Sequence, residues 1–139
     1  MRFLLLAPGT YGSILTTCFW VACRLYQQEI FIQMLFSVLC TITALYGVYR
    51  LVPLGATEQD PSWFVLDEVA GMSVSLWGAY TRLDIFYALI IFRFFDISKI
   101  MGIRACEKIF YPWGIICDDI VAGLYTVGLR LCFSYIHFW

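Results

Sequence analysis

Nineteen consecutive residues, 31–49, carry no charged side chain. Wound as a helix they rise about 28 Å, enough to cross the roughly 30 Å hydrocarbon core of a bilayer. Four further apolar runs accompany this one. Residues 14–22 are followed by Arg24 and the polar Gln27-Gln28-Glu29. Residues 65–80 are interrupted only by Asp67 and Glu68 at their start, and residues 85–95 only by Arg93. Residues 115–139 carry Asp118 and Asp119 at their start, with Arg130 and His137 later. Hydrophobic residues are 62% of the 139 and charged residues 14%, where soluble domains carry about 45–50% and about 25%. Mean hydropathy is +0.81. So few charges could not cover so much apolar surface in water, and the bilayer is the expected solvent.

In lipid only helices and closed barrels satisfy the backbone, and barrel strands alternate apolar with polar residues, which these runs do not. The expectation is an all-α, integral membrane bundle of about five helices, over 12–25, 30–49, 63–80, 84–99 and 114–136, forming a single domain across 1–139. Pro8-Gly9, Pro53-Leu54-Gly55, Asp60-Pro61 and Pro112 mark the breaks. Residues 3–7 are too short a run for the apolar core of a signal peptide. The net charge of −1 argues against a nucleic-acid partner, which requires a basic face. The six cysteines form no C-x-x-C pair and no zinc-site spacing. They read as small apolar residues in a reducing compartment.

If the five helices alternate in direction, helices 1, 3 and 5 begin where helices 2 and 4 end. Asp60, Asp67, Glu68, Asp96, Asp118 and Asp119 then all fall on one face, six of the ten acids in the chain. Arg2, Arg50, Arg93, Lys99, Arg104 and Lys108 lie on the same face, and Arg24, Arg82 and Arg130 toward the other. The excess places the polar site at the cytoplasmic membrane face by the positive-inside rule. A short echo supports the convergence: Asp67-Glu68-Val69-Ala70-Gly71 and Asp119-Ile120-Val121-Ala122-Gly123 share the pattern Asp-x-Val-Ala-Gly. In each helix the glycine lies one turn beyond the acid, where it permits close backbone approach.

Carboxylates crowded at a membrane boundary need protons or a cation to neutralise them. An all-oxygen donor set without His or Cys suits a hard ion such as Mg²⁺ and not zinc. Acids at helix starts also complement the helix dipole, which accounts for Asp60 or Asp118 singly but poorly for the whole set. Arg93 and Asp96, three apart, share a helix side. They could simply neutralise one another, or Arg93 and Lys99 could hold an anion such as phosphate. Pro8-Gly9-Thr10-Tyr11-Gly12-Ser13 reads as a turn ahead of a helix, offering amides and the Thr10 and Ser13 hydroxyls to that anion. Cys18 and Arg24 have the C-x5-R spacing of cysteine phosphatases. The intervening Phe19-Trp20-Val21-Ala22-Cys23 lacks the glycines of a phosphate loop and reads as apolar helix.

Four segments together resemble the bacterial phosphatidylglycerophosphatase A family. They are Ala7-Pro8-Gly9-Thr10-Tyr11-Gly12-Ser13, Leu66-Asp67-Glu68-Val69-Ala70-Gly71-Met72, Phe92-Arg93-Phe94-Phe95-Asp96-Ile97-Ser98-Lys99 and Gly114-Ile115-Ile116-Cys117-Asp118-Asp119-Ile120-Val121-Ala122-Gly123. The chain departs from the family after Lys99, where Ile100-Met101-Gly102 replaces the usual Pro-x-Pro. The resemblance implies a Mg²⁺-dependent phosphatase of the bacterial inner membrane that converts phosphatidylglycerophosphate, a phospholipid, to phosphatidylglycerol. It implies that Asp67, Glu68, Asp96, Asp118 and Asp119 form the catalytic and metal-holding set. Arg93 and Lys99, with Thr10 and Ser13, would bind the substrate phosphate. Either a water or an aspartate could serve as nucleophile. Two alternatives stand beside this reading: a small transporter or channel using its buried acids, and the same phosphatase chemistry on another lipid phosphate.

Overall fold

The computed structural model describes residues 8–25, 30–51, 64–100, 102–109 and 113–137. Within them the chain forms six helices and no strand: α1 (Pro8–Leu25), α2 (Ile30–Leu51), α3 (Leu66–Ser75), α4 (Arg82–Ser98), α5 (Ile103–Ile109) and α6 (Gly114–His137). Arg2, Asp60 and the breaks at Pro53-Leu54-Gly55, Asp60-Pro61 and Pro112 lie outside the described residues.

Three elements differ from the sequence expectation, each for a local reason. Helix α1 begins at Pro8 and not at residue 12. Proline at a first helical position loses no hydrogen bond and has φ preset, so the segment expected as a turn is already helix. Helix α3 stops at Ser75, five residues short of the expected 80. The Ser73 and Ser75 hydroxyls donate to the carbonyls of Ala70 and Met72, and Gly78 takes a left-handed φ of 68°, so the chain turns at Leu76-Trp77-Gly78 instead of continuing. Helix α5 is additional. Its seven residues mix apolar and charged side chains too briefly for a periodic pattern to emerge.

Helix α4 begins with a capping box: the Thr81 hydroxyl accepts from the Asp84 amide at 3.0 Å, and the Asp84 carboxylate accepts from the Thr81 amide at 2.9 Å. The box satisfies two amides that would otherwise be left open at a helix start.

Helix α3 is the axis of the bundle. It packs most extensively on α6 and also contacts α1, α2 and α4. Seven of its ten residues are buried. At 1.5 Å per residue it is only about 15 Å long, so one end lies at the site and the other ends inside the bundle. There Arg130 of α6 donates to the Trp77 carbonyl, filling the role of a C-terminal cation. The core around α3 gathers Trp20, Met72, Leu76, Ala88, Phe92 and Ala122. A second cluster beside the site joins Ala44, Val48, Phe64, Ala70, Ile115 and Ile116.

The outside of the bundle is apolar. Phe31, Leu35, Val38, Leu39, Ile42, Tyr46 and Tyr49 of α2 are exposed, while Gln33 and Ser37 of the same helix are buried. Ser37 there accepts the Trp77 indole N–H at 2.8 Å. Phe86, Ile90, Phe94, Leu131, Phe133 and Ile136 continue the apolar surface on α4 and α6. Among the described residues one helix, Phe31–Leu51, is by length and composition long and apolar enough to cross a membrane.

Candidate active site

Five helix ends meet at one end of the bundle. The start of α1 touches α3, because Gly9 faces the Glu68 carboxyl and Gly12 packs on Val65 and Val69. The end of α2 lies on the entry to α3 through Gly47, Phe64 and Leu66. The end of α4 reaches α1 and α3 through Arg93, and α6 through Lys99. This is the convergence expected from alternating helices. The other end is marked by Arg24, which donates to the Tyr80 carbonyl at 3.0 Å, and by Arg130.

The Asp-x-Val-Ala-Gly echo is the contact that sets the acids side by side. A Cβ on Gly71 would lie 2.6 Å from the Asp119 carbonyl oxygen, and one on Gly123 would lie 2.5 Å from the Gly71 carbonyl oxygen. Helices α3 and α6 therefore cross backbone to backbone, and any side chain at either glycine would separate them. The two acid pairs also fold alike locally. Asp67 Oδ1 accepts from the Glu68 amide at 2.9 Å, and Asp118 Oδ1 accepts from the Asp119 amide at 2.9 Å.

Helix capping does not explain these acids. Asp67 and Glu68 sit in the first turn of α3, where the dipole favours them. Asp118 and Asp119 lie a full turn inside α6, which starts at Gly114. Asp96 lies in the last turn of α4, ending at Ser98, where the dipole disfavours an anion. Yet Asp67, Asp118 and Asp119 are only 4%, 3% and 4% exposed. The Asp119 carboxyl lies within hydrogen-bonding reach of Asp96 and in the field of Asp67 and Asp118.

Two cations answer this negative charge. Arg93 is forked: Nη1 lies 2.6 Å from Asp96 Oδ2 and 3.6 Å from Glu68 Oε1, while Nη2 donates to Thr10 Oγ1 at 3.2 Å. Lys99 Nζ lies 2.9 Å from Asp118 Oδ2. Lys99 is also the one non-glycine among the described residues with positive φ, at 46°. It closes α4 in a left-handed conformation that glycine usually supplies.

Thr10, expected as a phosphate contact, is engaged by Arg93. Ser13 is fully buried one turn further into α1, and its hydroxyl has no hydrogen-bond partner among the described residues. Gly9 was not singled out from sequence as a site residue. A Cβ there would fall within the Glu68 carboxyl group, so glycine at 9 is what lets Glu68 lie against the first turn of α1. The Pro8-Gly9 pair was the available signal, and it reads as helix entry followed by an open backbone.

The five acids do not form a ready-made cage. Among the described residues no group of three or more His, Cys, Asp or Glu side chains is arranged to hold a metal ion. Asp96, Glu68 and Asp118 instead engage Arg93 and Lys99. The donors remain all carboxylate, and a hard divalent ion such as Mg²⁺ needs only one or two of them, completing its shell with water and phosphate oxygens. The residues present therefore fit that ion, with Asp67, Asp118 and Asp119 the most enclosed donors.

The C-x5-R pair is excluded by the fold. Cys18 and Arg24 lie within the uninterrupted α1, Cys18 is exposed, and Arg24 is engaged at the far end of the bundle.

The phosphatidylglycerophosphatase A family model matches residues 2–134. The chain belongs to this family. Like its relatives in the phosphatidylglycerophosphatase A family, the protein is an enzyme, a phosphatase. It is 32% identical over 133 residues to "Phosphatidylglycerophosphatase A" of Haemophilus influenzae, covering 93% of this chain and 80% of that protein. It is 31% identical over 129 residues to the protein of the same name from Escherichia coli, covering 89% and 72%. A third relative, from Bacteroides thetaiotaomicron, is 32% identical over 130 residues, covering 86% and 79%, and is named "Putative phosphatidylinositol-3-phosphatase". No solved structure matches the chain.

Proposed function

We propose that the protein is a Mg²⁺-dependent lipid phosphatase of the bacterial inner membrane, hydrolysing the terminal phosphomonoester of phosphatidylglycerophosphate to leave phosphatidylglycerol. The observation that carries this reading is the meeting of Asp67, Asp96, Asp118 and Asp119 with Arg93 and Lys99 at one end of a bundle whose exterior is apolar. Two relatives named for that activity support the substrate.

An apolar exterior around buried polar groups is the arrangement a bilayer favours. Tyr11, Tyr46, Tyr49 and Trp113 are exposed near the site end, and Tyr80 and Tyr135 toward the other. These positions suit the aromatic belts of the two interfaces. Arg50, Arg93, Lys99, Arg104 and Lys108 lie toward the site end and Arg24, Arg82 and Arg130 toward the other, which favours a cytoplasmic site.

In this reading Arg93 and Lys99 bind the equatorial oxygens of the phosphate, where paired cations offset the charge of the transition state. Asp67, Asp118 and Asp119, with Asp96 and Glu68 nearby, hold the ion. When bound, Mg²⁺ neutralises phosphate charge and orients the attack. Thr10 keeps the Arg93 fork in place. The shortness of α3, ten residues, supports a site near one membrane boundary in this reading, with the headgroup at the site and the acyl chains in lipid.

Phosphate release by the purified protein across a panel of lipid phosphates, with Mg²⁺ or with EDTA, tests the proposal. Preference for phosphatidylglycerophosphate and loss of turnover in EDTA are expected. Equal turnover in EDTA would remove the metal, and turnover confined to another lipid would replace the substrate. That second substrate reading is favoured by the Bacteroides relative, whose name specifies a phosphoinositide.

A further inference from the structure

We infer that Lys99, with Arg93 beside it, is an internal stand-in for the divalent ion: it holds the carboxylates until the ion displaces it, and the freed ammonium then binds the phosphate. The inference rests on the metal-assisted reading above. It adds that ion and phosphate bind as a linked pair and not independently.

Three observations carry it. Lys99 Nζ lies 2.9 Å from Asp118 Oδ2, and Asp118 is only 3% exposed. A carboxylate so enclosed is costly without a counter-charge, and here the chain itself supplies one. Second, Arg93 is drawn toward Asp96 and Glu68 in the same manner. Together the two cations engage Asp96, Glu68 and Asp118, three of the five acids, and among the described residues no three-carboxylate group is arranged for a metal. Third, Lys99 occupies a left-handed backbone position, φ 46°. Glycine would fit that backbone without strain, so the side chain and not the backbone accounts for lysine at this position.

The same carboxylate oxygens cannot serve an ammonium and a divalent ion at full strength. An entering ion therefore displaces Lys99 from Asp118. The displaced ammonium, tethered at the end of α4, is left beside the place where a bound phosphate would lie. Phosphate gains a cation only when the ion is present, and the ion gains its ligand fully only when phosphate holds the lysine away. Linkage requires the effect to be reciprocal, and couplings of this kind are typically about 5- to 150-fold.

The test is equilibrium binding of Mn²⁺, a paramagnetic substitute for Mg²⁺, to the full-length purified protein. Free Mn²⁺ is read by its electron paramagnetic resonance signal, with and without inorganic phosphate, and no turnover is involved. For the unaltered protein, phosphate is expected to tighten Mn²⁺ binding at least about 5-fold. In Lys99→Gln, Mn²⁺ alone should bind more tightly than to the unaltered protein, and the phosphate effect should shrink toward unity. Lys108→Gln, which removes an exposed cation on α5, should behave as the unaltered protein and so controls for general electrostatics. The inference is overturned if phosphate leaves Mn²⁺ binding to the unaltered protein unchanged, a result that needs no variant to fold. It is also overturned if Lys99→Gln, folded by circular dichroism, binds Mn²⁺ no more tightly, or if Lys108→Gln reproduces its effect. Absence of Mn²⁺ binding under every condition overturns the metal-assisted reading itself, whereas binding without coupling overturns only the exchange.

Discussion

The Gly71 carbonyl oxygen lies where Gly123 has no side chain: a Cβ at 123 would stand 2.5 Å from it. Helices α3 and α6 touch at this crossing, and one turn before each glycine stands an acid, Asp67 and Asp119. The spacing of the site is thus set by two residues that take no part in chemistry. Gly71→Ala and Gly123→Ala should each force the helices apart, costing about 1–3 kcal/mol of stability by overpacking and most of the activity. Gly128→Ala is the matched control, because a Cβ there meets nothing within 4 Å, and its activity should be unchanged. Thermal unfolding in detergent alongside phosphate release separates the three variants. Retention of full activity in Gly71→Ala would show that the crossing does not set the site.

Lys99 offers a second separation of backbone from side chain. Lys99→Ala and Lys99→Gly both delete the ammonium opposite Asp118. They differ in the left-handed φ of 46°, which alanine tolerates poorly and glycine readily. Lys99→Gly should therefore be more stable than Lys99→Ala by about 1 kcal/mol, while both lose phosphate release alike. Equal stability of the two would mean that the backbone at 99 relaxes freely.

Much of this arrangement was legible in the sequence because long apolar runs with few charges leave few choices. Charge-free and sparsely charged runs become helices, and if the five expected ones alternate in direction, the acids near the starts of α3 and α6 and at the end of α4 must converge. The Asp-x-Val-Ala-Gly pair foretold the α3–α6 crossing for the same physical reason: a glycine one turn from an acid is useful only if another backbone approaches. What was not legible depended on local hydrogen bonding or on tertiary contact. Ser73 and Ser75 turned inward to their own carbonyls and Gly78 ended α3 early, although the apolar run continues to Tyr80. Pro8 opened a helix where Pro-Gly suggested a turn. Spacing offered the Arg93–Asp96 pair, three apart and found at 2.6 Å, but it could not show that Lys99 would be engaged as well, because only the assembled site brings residues 19 apart, Lys99 and Asp118, to 2.9 Å.

Asp119 should show stability and function in opposition. The residue is 4% exposed and its carboxyl stands among Asp96, Asp67 and Asp118, so without a divalent ion its charge is unfavourable to the fold. Asp119→Asn keeps the shape and removes the charge. In EDTA it should raise stability by about 0.5–2 kcal/mol, while phosphate release in Mg²⁺ falls to background. Asp67→Asn should lose activity likewise. Unfolding midpoints in EDTA and in Mg²⁺ provide the check, since Mg²⁺ should stabilise the unaltered protein and not Asp119→Asn. Full activity in either variant would remove that residue from the ion site.

Arg93→Lys tests whether the site needs a positive charge or a fork. Arg93 reaches Asp96 and Glu68 with one nitrogen and Thr10 with the other, at 2.6, 3.6 and 3.2 Å. A lysine carries the same charge but concentrates it at one point, so it can approach Asp96 or Thr10 but not span both. If the guanidinium plane is what orients the phosphate, Arg93→Lys should lower kcat/KM about 100- to 1000-fold, the usual loss on removing one oriented donor from a charge-stabilising site. Thr10→Val, which leaves the arginine but releases one arm of the fork, should lose less, and Thr10→Ser should restore activity because its hydroxyl can accept the same bond. Activity of Arg93→Lys within about threefold of the unaltered protein, well short of the loss expected for a missing donor, would mean that charge alone suffices and that the contact between α1 and α4 serves the fold and not the reaction.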